Sequence, residues 1–186
     1  ESKSGERGIF NRISAKEQAK KFGRRDADHE FGTNPCSEII LRPYQFCNLT
    51  EVVIREKDRF EDLKRKVMLA TILGTAQATL TKFPYLRKVW KTNTEEERLL
   101  GVSLTGIMDN ELTSGKKHGL EKTLTALREV AVETNKEWAT IFGIPQSTAI
   151  TCVKPSGTVS QLVDSSSGIH PRHSSYYIRT VRGDNK

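Results

Sequence analysis

Short β-rich stretches alternate with long helical segments along this chain, and that order limits the architectures open to it. Two β-rich stretches lie within residues 34–54, helical segments occupy 60–143, and a nearly all-apolar run follows at 149–153. An apolar run of this kind is typical of a strand buried on both faces. The alternation predicts an α/β domain. Together with a last strand predicted at 176–182, these segments give four short strands. Four are too few to close a sheet, so we expect the chain to be part of a larger architecture.

Two of the helical segments have clear periodicity. Residues 60–82 place apolar and small residues at helical spacing, and the small ones permit close packing against a neighbour. Residues 121–142 form another helix, which Gly143 and Pro145 are expected to end.

Capping patterns predict two further helix starts. Ser14, with Glu17 three residues later, has the pattern of a capping box and predicts a helix over residues 14–22. Residues 94–97, Thr-Glu-Glu-Glu, repeat the pattern and predict a helix that runs toward Met108, with acids at the positive end of its dipole. A short helix is also expected at 161–163.

Charge and cysteine content narrow the functional classes. The 186 residues suggest one domain, and the net charge of +7 suits an anionic partner such as nucleotide phosphate, nucleic acid or an acidic protein. The basic residues are dispersed among acids, however, as on an ordinary solvated surface. Three scattered cysteines predict a reducing, cytoplasmic environment. No apolar run reaches the ~20 residues of a membrane span, and no signal sequence is expected.

The segment Asn34-Pro35-Cys36-Ser37-Glu38 combines an amide, a thiol and a carboxylate. Proline fixes its own φ and favours an extended residue before it, so we expect an extended segment. Residues two apart then share one face, which groups Asn34, Cys36 and Glu38. This group suits thiol chemistry on a polar substrate, with the carboxylate as base. The alternative is a buried structural cysteine beside a surface glutamate.

Cys47 is a second candidate for thiol chemistry. Pro43, between the two cysteines, suggests a chain reversal that returns Cys47 toward Cys36. Two thiols near one carboxylate form a redox-capable site. A second buried core cysteine is an equally good interpretation. Cys152, within an apolar run, is most simply a core residue.

A glycine and hydroxyl turn follows the run at 149–153. Backbone N–H groups and three hydroxyls in such a turn can bind phosphate. The residues concerned are Pro155, Ser156, Gly157, Thr158, Val159 and Ser160. An ordinary Ser/Thr helix cap is the alternative, and the P-loop pattern is not present. His170 and His173 lack a third nearby ligand in the sequence, so a metal site is not expected. A last strand is predicted at 176–182.

Three motifs, taken in this order, resemble those of ribonucleotide reductases. They are Asn34-Pro35-Cys36-Ser37-Glu38-Ile39, Phe46-Cys47-Asn48-Leu49-Thr50-Glu51-Val52, and Pro155-Ser156-Gly157-Thr158-Val159-Ser160 with Gly168-Ile169-His170 after it. The similarity is greatest to the adenosylcobalamin-dependent (class II) ribonucleoside-triphosphate reductases. Residues 5–12 and 97–102 also resemble segments of that family. Ser37 stands where glycine is most common there, and we expect the turn to persist.

The resemblance implies a fold and an organisation. The fold would be part of a ten-stranded α/β barrel of the ribonucleotide reductase type, with the radical cysteine on a loop threaded through it. Residues 1–186 would form a single fragment of that barrel. Its parts would be a polar lead-in at 1–33, the cysteine loop and strand at 34–54, helices at 60–143, and the phosphate loop and last strand at 149–186.

The resemblance also implies roles for individual residues. Cys36 would form the transient thiyl radical that removes the 3′ hydrogen of the ribonucleotide, with adenosylcobalamin as the cofactor. Glu38 would take the 3′-hydroxyl proton and Asn34 would hold the ribose hydroxyls. Cys47 would be one of two cysteines that reduce C2′ and become a disulfide. Residues 155–160 would bind the phosphates of a ribonucleoside triphosphate or diphosphate.

The chain also departs from the family in extent. Family members are several times longer, the partner of Cys47 lies well before the loop, and Cys152 does not match that position. We therefore expect a fragment that is inactive alone and needs the missing N- and C-terminal parts and a thioredoxin-type reductant.

Two alternatives stay open at this point. One is the large subunit of a diiron (class I) reductase, whose radical comes from a partner protein. The other is a basic, non-catalytic module that binds nucleic acid, which the dispersed charges disfavour. If the chain is part of a class II reductase, we expect it to bind neither a membrane nor a specific nucleic acid.

Overall fold

The fold was examined in a computed structural model that describes residues 8–178, 180 and 183. In chain order its helices and strands are α1 (Arg12–Lys20), β1 (Gly32–Thr33), β2 (Ile40–Leu41), β3 (Asn48–Val53), α2 (Phe60–Gln77), α3 (Lys88–Glu97), β4 (Leu100–Thr105), α4 (Leu120–Phe142) and α5 (Val159–Leu162). A 3₁₀ turn, Ile107–Asp109, follows β4. None of the described helices is long and apolar enough to cross a membrane.

The central sheet is parallel and small. Strand β3 pairs with β4 from Asn48 opposite Leu100 to Val53 opposite Thr105. The other edge of β4 bonds to the segment at 149–152, where Val102 N–H donates to the Ile150 carbonyl at 2.8 Å. Parallel neighbours need crossover connections, and the helices between these segments supply them. The predicted α/β character is therefore present, although the described sheets are too small to form a closed barrel.

The segment at 149–153 differs from its prediction. Ile150 is buried and belongs to the core, whereas Thr151 and Val153 are exposed. Its backbone pairs with β4 in parallel around a bridge between Val102 and Thr151. Burial on both faces was the wrong expectation, because the segment lies at the sheet edge and packs through one face.

The core forms where α2 and α4 pack on each other and on the parallel strands. Its largest buried members are Val52, Ile54, Leu63, Val67, Leu100, Val102, Leu127 and Ile150. Gly74 confirms the predicted close packing, since a Cβ there would lie 3.4 Å from Leu100 Cδ2. Helix α2 ends at Gln77, before the expected residue 82. The carbonyl of Ala78, just after the helix, accepts a hydrogen bond from the guanidinium of Arg98. This bond satisfies one of the carbonyl groups that the C-terminal end of a helix leaves without a partner.

The helix predicted to start at 94–97 is wrong. These residues are the last turn of α3, Arg98 then adopts a left-handed conformation with φ of 46°, and β4 begins at Leu100. The capping pattern is a local signal, whereas Leu99 and Leu100 are fully buried and the following residues pair with β3. Tertiary burial therefore overrides the local pattern. Strand β4 also divides the predicted helical region at 60–143.

The other helix predictions have mixed outcomes. Helix α4 ends at Gly143 in a left-handed conformation, as expected. Helix α5 confirms the short helix near 161–163. Helix α1 begins earlier than predicted, because the side chain of Asn11, not Ser14, accepts hydrogen bonds from the first-turn N–H groups.

The last predicted strand, 176–182, is only partly described. Residues 176–178 are not in a strand. Residues 179, 181 and 182 lie outside the described residues.

Candidate functional site

Cys36 lies on the loop of a small hairpin. Strands β1 and β2 are antiparallel, with Gly32 opposite Leu41, and the loop between them spans 34–39. Ser37 N–H donates to the Asn34 carbonyl at 2.9 Å, and Ile39 N–H donates to Asn34 Oδ1 at 3.0 Å. The loop is thus a tight turn with Cys36 exposed, and the predicted extended segment is wrong. Asn34 as the first residue and Pro35 as the second favour such a turn.

The turn carries a strained residue. Ser37 has a φ of 62°, in the left-handed region that a residue with a Cβ enters at a cost. The backbone therefore forms the turn that was expected, although position 37 carries serine and not glycine.

We expect Ser37→Gly to stabilise the chain by about 0.5–1 kcal/mol, because glycine adopts this conformation without steric cost. Its greater freedom in the unfolded chain offsets part of the gain. The free energy of unfolding in urea measures the change. Ser37→Ala should leave it nearly unchanged, and equal gains in both variants would contradict the conformational explanation.

Glu38 forms the main charge contact of the site. Its side chain is only 1% exposed, and Oε1 accepts a hydrogen bond from Lys154 Nζ at 2.8 Å. Burial acts to raise the pKa of Glu38, but the hydrogen bond and charge of Lys154, with its own backbone N–H and the adjacent amide of Asn34, outweigh burial and lower it. The carboxylate is therefore held in the ionised form that can accept a proton.

Gly101 lets the cysteine loop lie directly on β4. A Cβ at this position would be 2.5 Å from Leu49 Cδ2, 3.0 Å from Ile39 Cδ1 and 3.1 Å from Cys152 Sγ. The missing side chain thus leaves room for Ile39, which is next to Glu38 in the loop. A glycine within a strand often marks such a close approach.

Cys47 and Cys152 are half-buried, free thiols that flank β4 on its two sides. Burial raises the pKa of Cys47, and the negative charge of Glu38 adds to the effect. Burial likewise raises the pKa of Cys152 to about 12, with further contributions from Glu38 and Cys47. Both are protonated thiols at neutral pH. Cys152 was predicted to be a core residue. It is only half-buried and lies beside the candidate site.

The three hydroxyls of the 155–160 loop have different environments. The hydroxyl of Ser160 donates to the Gly157 carbonyl at 3.2 Å. Ser156 Oγ is buried and has no hydrogen-bond partner in the described structure. Thr158 is exposed and makes no capping bond to α5, so the alternative of an ordinary helix cap is wrong. Gly168 packs against the start of this loop: its φ is 52°, and a Cβ there would lie 2.6 Å from the Lys154 carbonyl oxygen, so a side chain is excluded.

A buried polar network holds the base of the hairpin. Arg25 makes two hydrogen bonds of 2.8 Å to the carboxylate of Glu97 and one of 2.8 Å to the Ile40 carbonyl. The amide of Gln45 also donates to Glu97. Arg25 and Glu97 are 4% and 5% exposed. The network therefore joins the polar lead-in, β2, the turn before Cys47 and the end of α3.

The sequence analysis missed several of these contributors. Lys154 directly follows the apolar run at 149–153, and Arg25 is one of the dispersed basic residues, so neither was predicted as part of the site. Gly101 had a usable signal, a glycine inside an apolar stretch that suits a strand. Lys154 and Glu38 are 116 residues apart in the chain, and no local spacing rule connects them.

The fold is similar to a solved ribonucleotide reductase. A chain in a structure described as a B12-dependent (class II) ribonucleotide reductase matches with a TM-score of 0.63 and 27% sequence identity. The match covers 78% of this chain and 23% of that one. No protein-family model matches the sequence.

Curated relatives specify the class further. The chain is 29% identical to the adenosylcobalamin-dependent ribonucleoside-triphosphate reductase of Lactobacillus delbrueckii subsp. bulgaricus, over 98% of this chain and 28% of the relative. The enzyme of the same description from Lactobacillus leichmannii is also 29% identical. A probable enzyme of this kind from Dictyostelium discoideum is 32% identical over 81% of this chain and 19% of its own length. The resemblance to the class II reductases is thereby confirmed, and the chain spans about a quarter of these relatives.

Proposed function

We propose that this chain is a segment of the catalytic α/β barrel of an adenosylcobalamin-dependent ribonucleotide reductase, in which ten strands surround the cysteine loop. The observation that carries the proposal is the ion pair between Glu38 and Lys154 at 2.8 Å. It joins the cysteine loop to the residue before the 155–160 loop, so two of the motifs that resemble the family meet in one place.

The residues of the cysteine loop would begin the reaction. The Cys36 thiyl radical takes the 3′ hydrogen of the ribonucleotide and becomes a thiol again. The ionised Glu38 accepts the proton of the 3′ hydroxyl, and Lys154 keeps that carboxylate in place. Oδ1 of Asn34 accepts a hydrogen bond from the Ile39 N–H, and its NH₂ group also stabilises the Glu38 carboxylate, so a ribose hydroxyl would share that group with Glu38.

Cys47 would serve the reductive half of the reaction. Together with a second thiol outside this chain, it supplies two hydrogens and two electrons. One hydrogen leaves with the 2′ hydroxyl as water, C2′ gains the other, and the two sulfurs form a disulfide that a thioredoxin-type dithiol reduces. Cys36 then returns its hydrogen to C3′ and becomes the thiyl radical again. The raised pKa of Cys47 supports this role, because the protonated thiol carries the hydrogen that the step needs.

The substrate would be a ribonucleoside triphosphate, the class that the names of the relatives specify. We propose that its phosphates contact residues 155–160. Support comes from Ser156, whose buried Oγ has no partner among the described residues and can donate to an anion.

Adenosylcobalamin, when bound, supplies the initial radical by homolysis of its cobalt–carbon bond. The exposed Cys36 thiol fits this chemistry, since the sulfur is open on the loop. The cavity beside the loop, about 290 Å³, is too small for a corrinoid. We therefore assign the thiol to this chain and the corrinoid contacts to the rest of the enzyme.

An activity assay of a complete reductase that contains this segment tests the proposal. We expect deoxyribonucleotide to form from a ribonucleoside triphosphate with adenosylcobalamin and a dithiol, without a second radical-bearing subunit. Without the cofactor, activity should be absent. Activity that requires a diiron subunit instead would assign the chain to class I and overturn the proposal.

A further inference from the structure

A cavity of about 290 Å³ lies beside residues 38–40 of the cysteine hairpin and is also lined by α1, the 148–151 segment and α4. Its polar lining includes Arg24, Arg128 and Thr148, and its apolar lining includes Phe22. This volume is roughly ten times the ~30 Å³ that one water occupies in the liquid, so it can hold a phosphate or a pyrophosphate.

Three cations surround the ring of Phe22. The guanidinium carbon of Arg128 lies 3.6 Å from the ring centroid, that of Arg24 lies 5.8 Å away, and Lys21 Nζ lies 5.5 Å away. Cations attract an aromatic face, but they repel one another. The cluster therefore concentrates positive charge at one wall of the cavity.

Arg24 and Arg128 form no salt bridge among the described residues, in contrast to Arg25, next in sequence, which pairs with Glu97. Burial, and then the charge of Arg128, lower the pKa of Arg24. One carboxylate, that of Glu38, also lines the cavity. Its Oε1 accepts a hydrogen bond from Lys154, whereas its Oε2 is buried without a hydrogen-bond partner. The arginines of the lining thus outnumber its carboxylate.

Two buried hydrogen-bond donors of residues that line the cavity also lack partners. Arg24 Nε and Thr148 Oγ1 are both inaccessible to solvent and make no hydrogen bond to the described residues. Such groups are costly unless something binds them. Both can donate hydrogen bonds, and an oxyanion accepts them.

We propose that this cavity is a phosphate-binding site, in which Arg24 and Arg128 hold the anion and Thr148 donates a further hydrogen bond. The phosphate is either free or part of a nucleotide. The site is distinct from the 155–160 loop, and the proposal does not depend on the reductase function.

Calorimetric titration of the full 186-residue chain with inorganic pyrophosphate at low salt tests the site. We expect Arg128→Gln and Arg24→Gln each to weaken binding about tenfold or more, the loss typical of one charge-assisted hydrogen bond. Lys122→Gln removes one charge from an exposed position of the same helix, α4, and should change affinity less than about twofold.

Thermal unfolding provides a second measurement of anion binding, because a ligand that binds the folded chain raises its Tm. Pyrophosphate should raise the Tm of the unmodified chain and of Lys122→Gln, and much less that of Arg128→Gln. Without the anion, Arg128→Gln should change the Tm little, because the relief of repulsion from Arg24 offsets the lost contact with the Phe22 ring.

The outcomes separate the possibilities, counting only the binding that Arg128→Gln weakens, since residues 155–160 are proposed to bind a triphosphate as well. A ribonucleoside triphosphate that binds the cavity as tightly as pyrophosphate indicates a site for phosphate alone, and tighter binding there indicates a nucleotide. No binding of pyrophosphate, or an equal loss in Lys122→Gln and Arg128→Gln, would overturn the site in favour of diffuse surface attraction.

Discussion

Cys36→Ser in a complete reductase that contains this segment is expected to abolish turnover, by ~10³-fold or more, while the substrate still binds. Serine keeps the size of the side chain on an exposed turn, so the hairpin should fold as before. Its O–H bond is much stronger than the S–H bond of cysteine. The variant therefore cannot form the radical that removes the 3′ hydrogen.

The comparison with Cys47→Ser locates the defect in the reaction. Loss of 3′ tritium from labelled substrate should disappear in Cys36→Ser but persist in Cys47→Ser, which should fail only in the reductive step that follows. Deoxynucleotide formation and equilibrium substrate binding complete the measurements. Turnover that survives in Cys36→Ser would remove the thiol from the mechanism.

Elements with a strong local pattern could be predicted from the sequence, and elements fixed by tertiary contacts could not. Helix α4 combines helical periodicity with a terminal glycine, so its end was predicted to the residue. Strand β4 follows an acidic capping pattern, and only its burial between β3 and the 149–152 segment determines its conformation. Local preference was the weaker effect there.

The candidate site shows the same division. The grouping of Asn34, Cys36 and Glu38 was predicted through an extended segment, whereas the segment forms a turn in which the amide of Asn34 reaches Glu38. The charge that holds Glu38 comes from Lys154, and the support of the hairpin comes from Arg25 and Glu97. These partners are 116 and 72 residues apart in sequence. Only the assembled sheet brings them together, so no periodicity or spacing could indicate them.

The buried pair of Arg25 and Glu97 leads to the largest expected effect on stability. Arg25→Met leaves the carboxylate of Glu97 buried without its cation, and the hydrogen bond to the Ile40 carbonyl is lost as well. Removing one partner of a buried ion pair typically costs about 3–5 kcal/mol. For a chain of this size, that corresponds to a fall of roughly 6–20 °C in Tm.

The double variant Arg25→Met/Glu97→Leu separates the charge effect from the loss of packing. It should recover most of the lost stability, because no uncompensated charge is left in the interior. Urea unfolding of the two single variants and the double variant gives the coupling free energy. Lys64→Gln, which breaks the exposed pair with Glu61 on α2, should cost less than about 1 kcal/mol. If Arg25→Met cost no more than Lys64→Gln, the network would not be what fixes the cysteine hairpin against the end of α3.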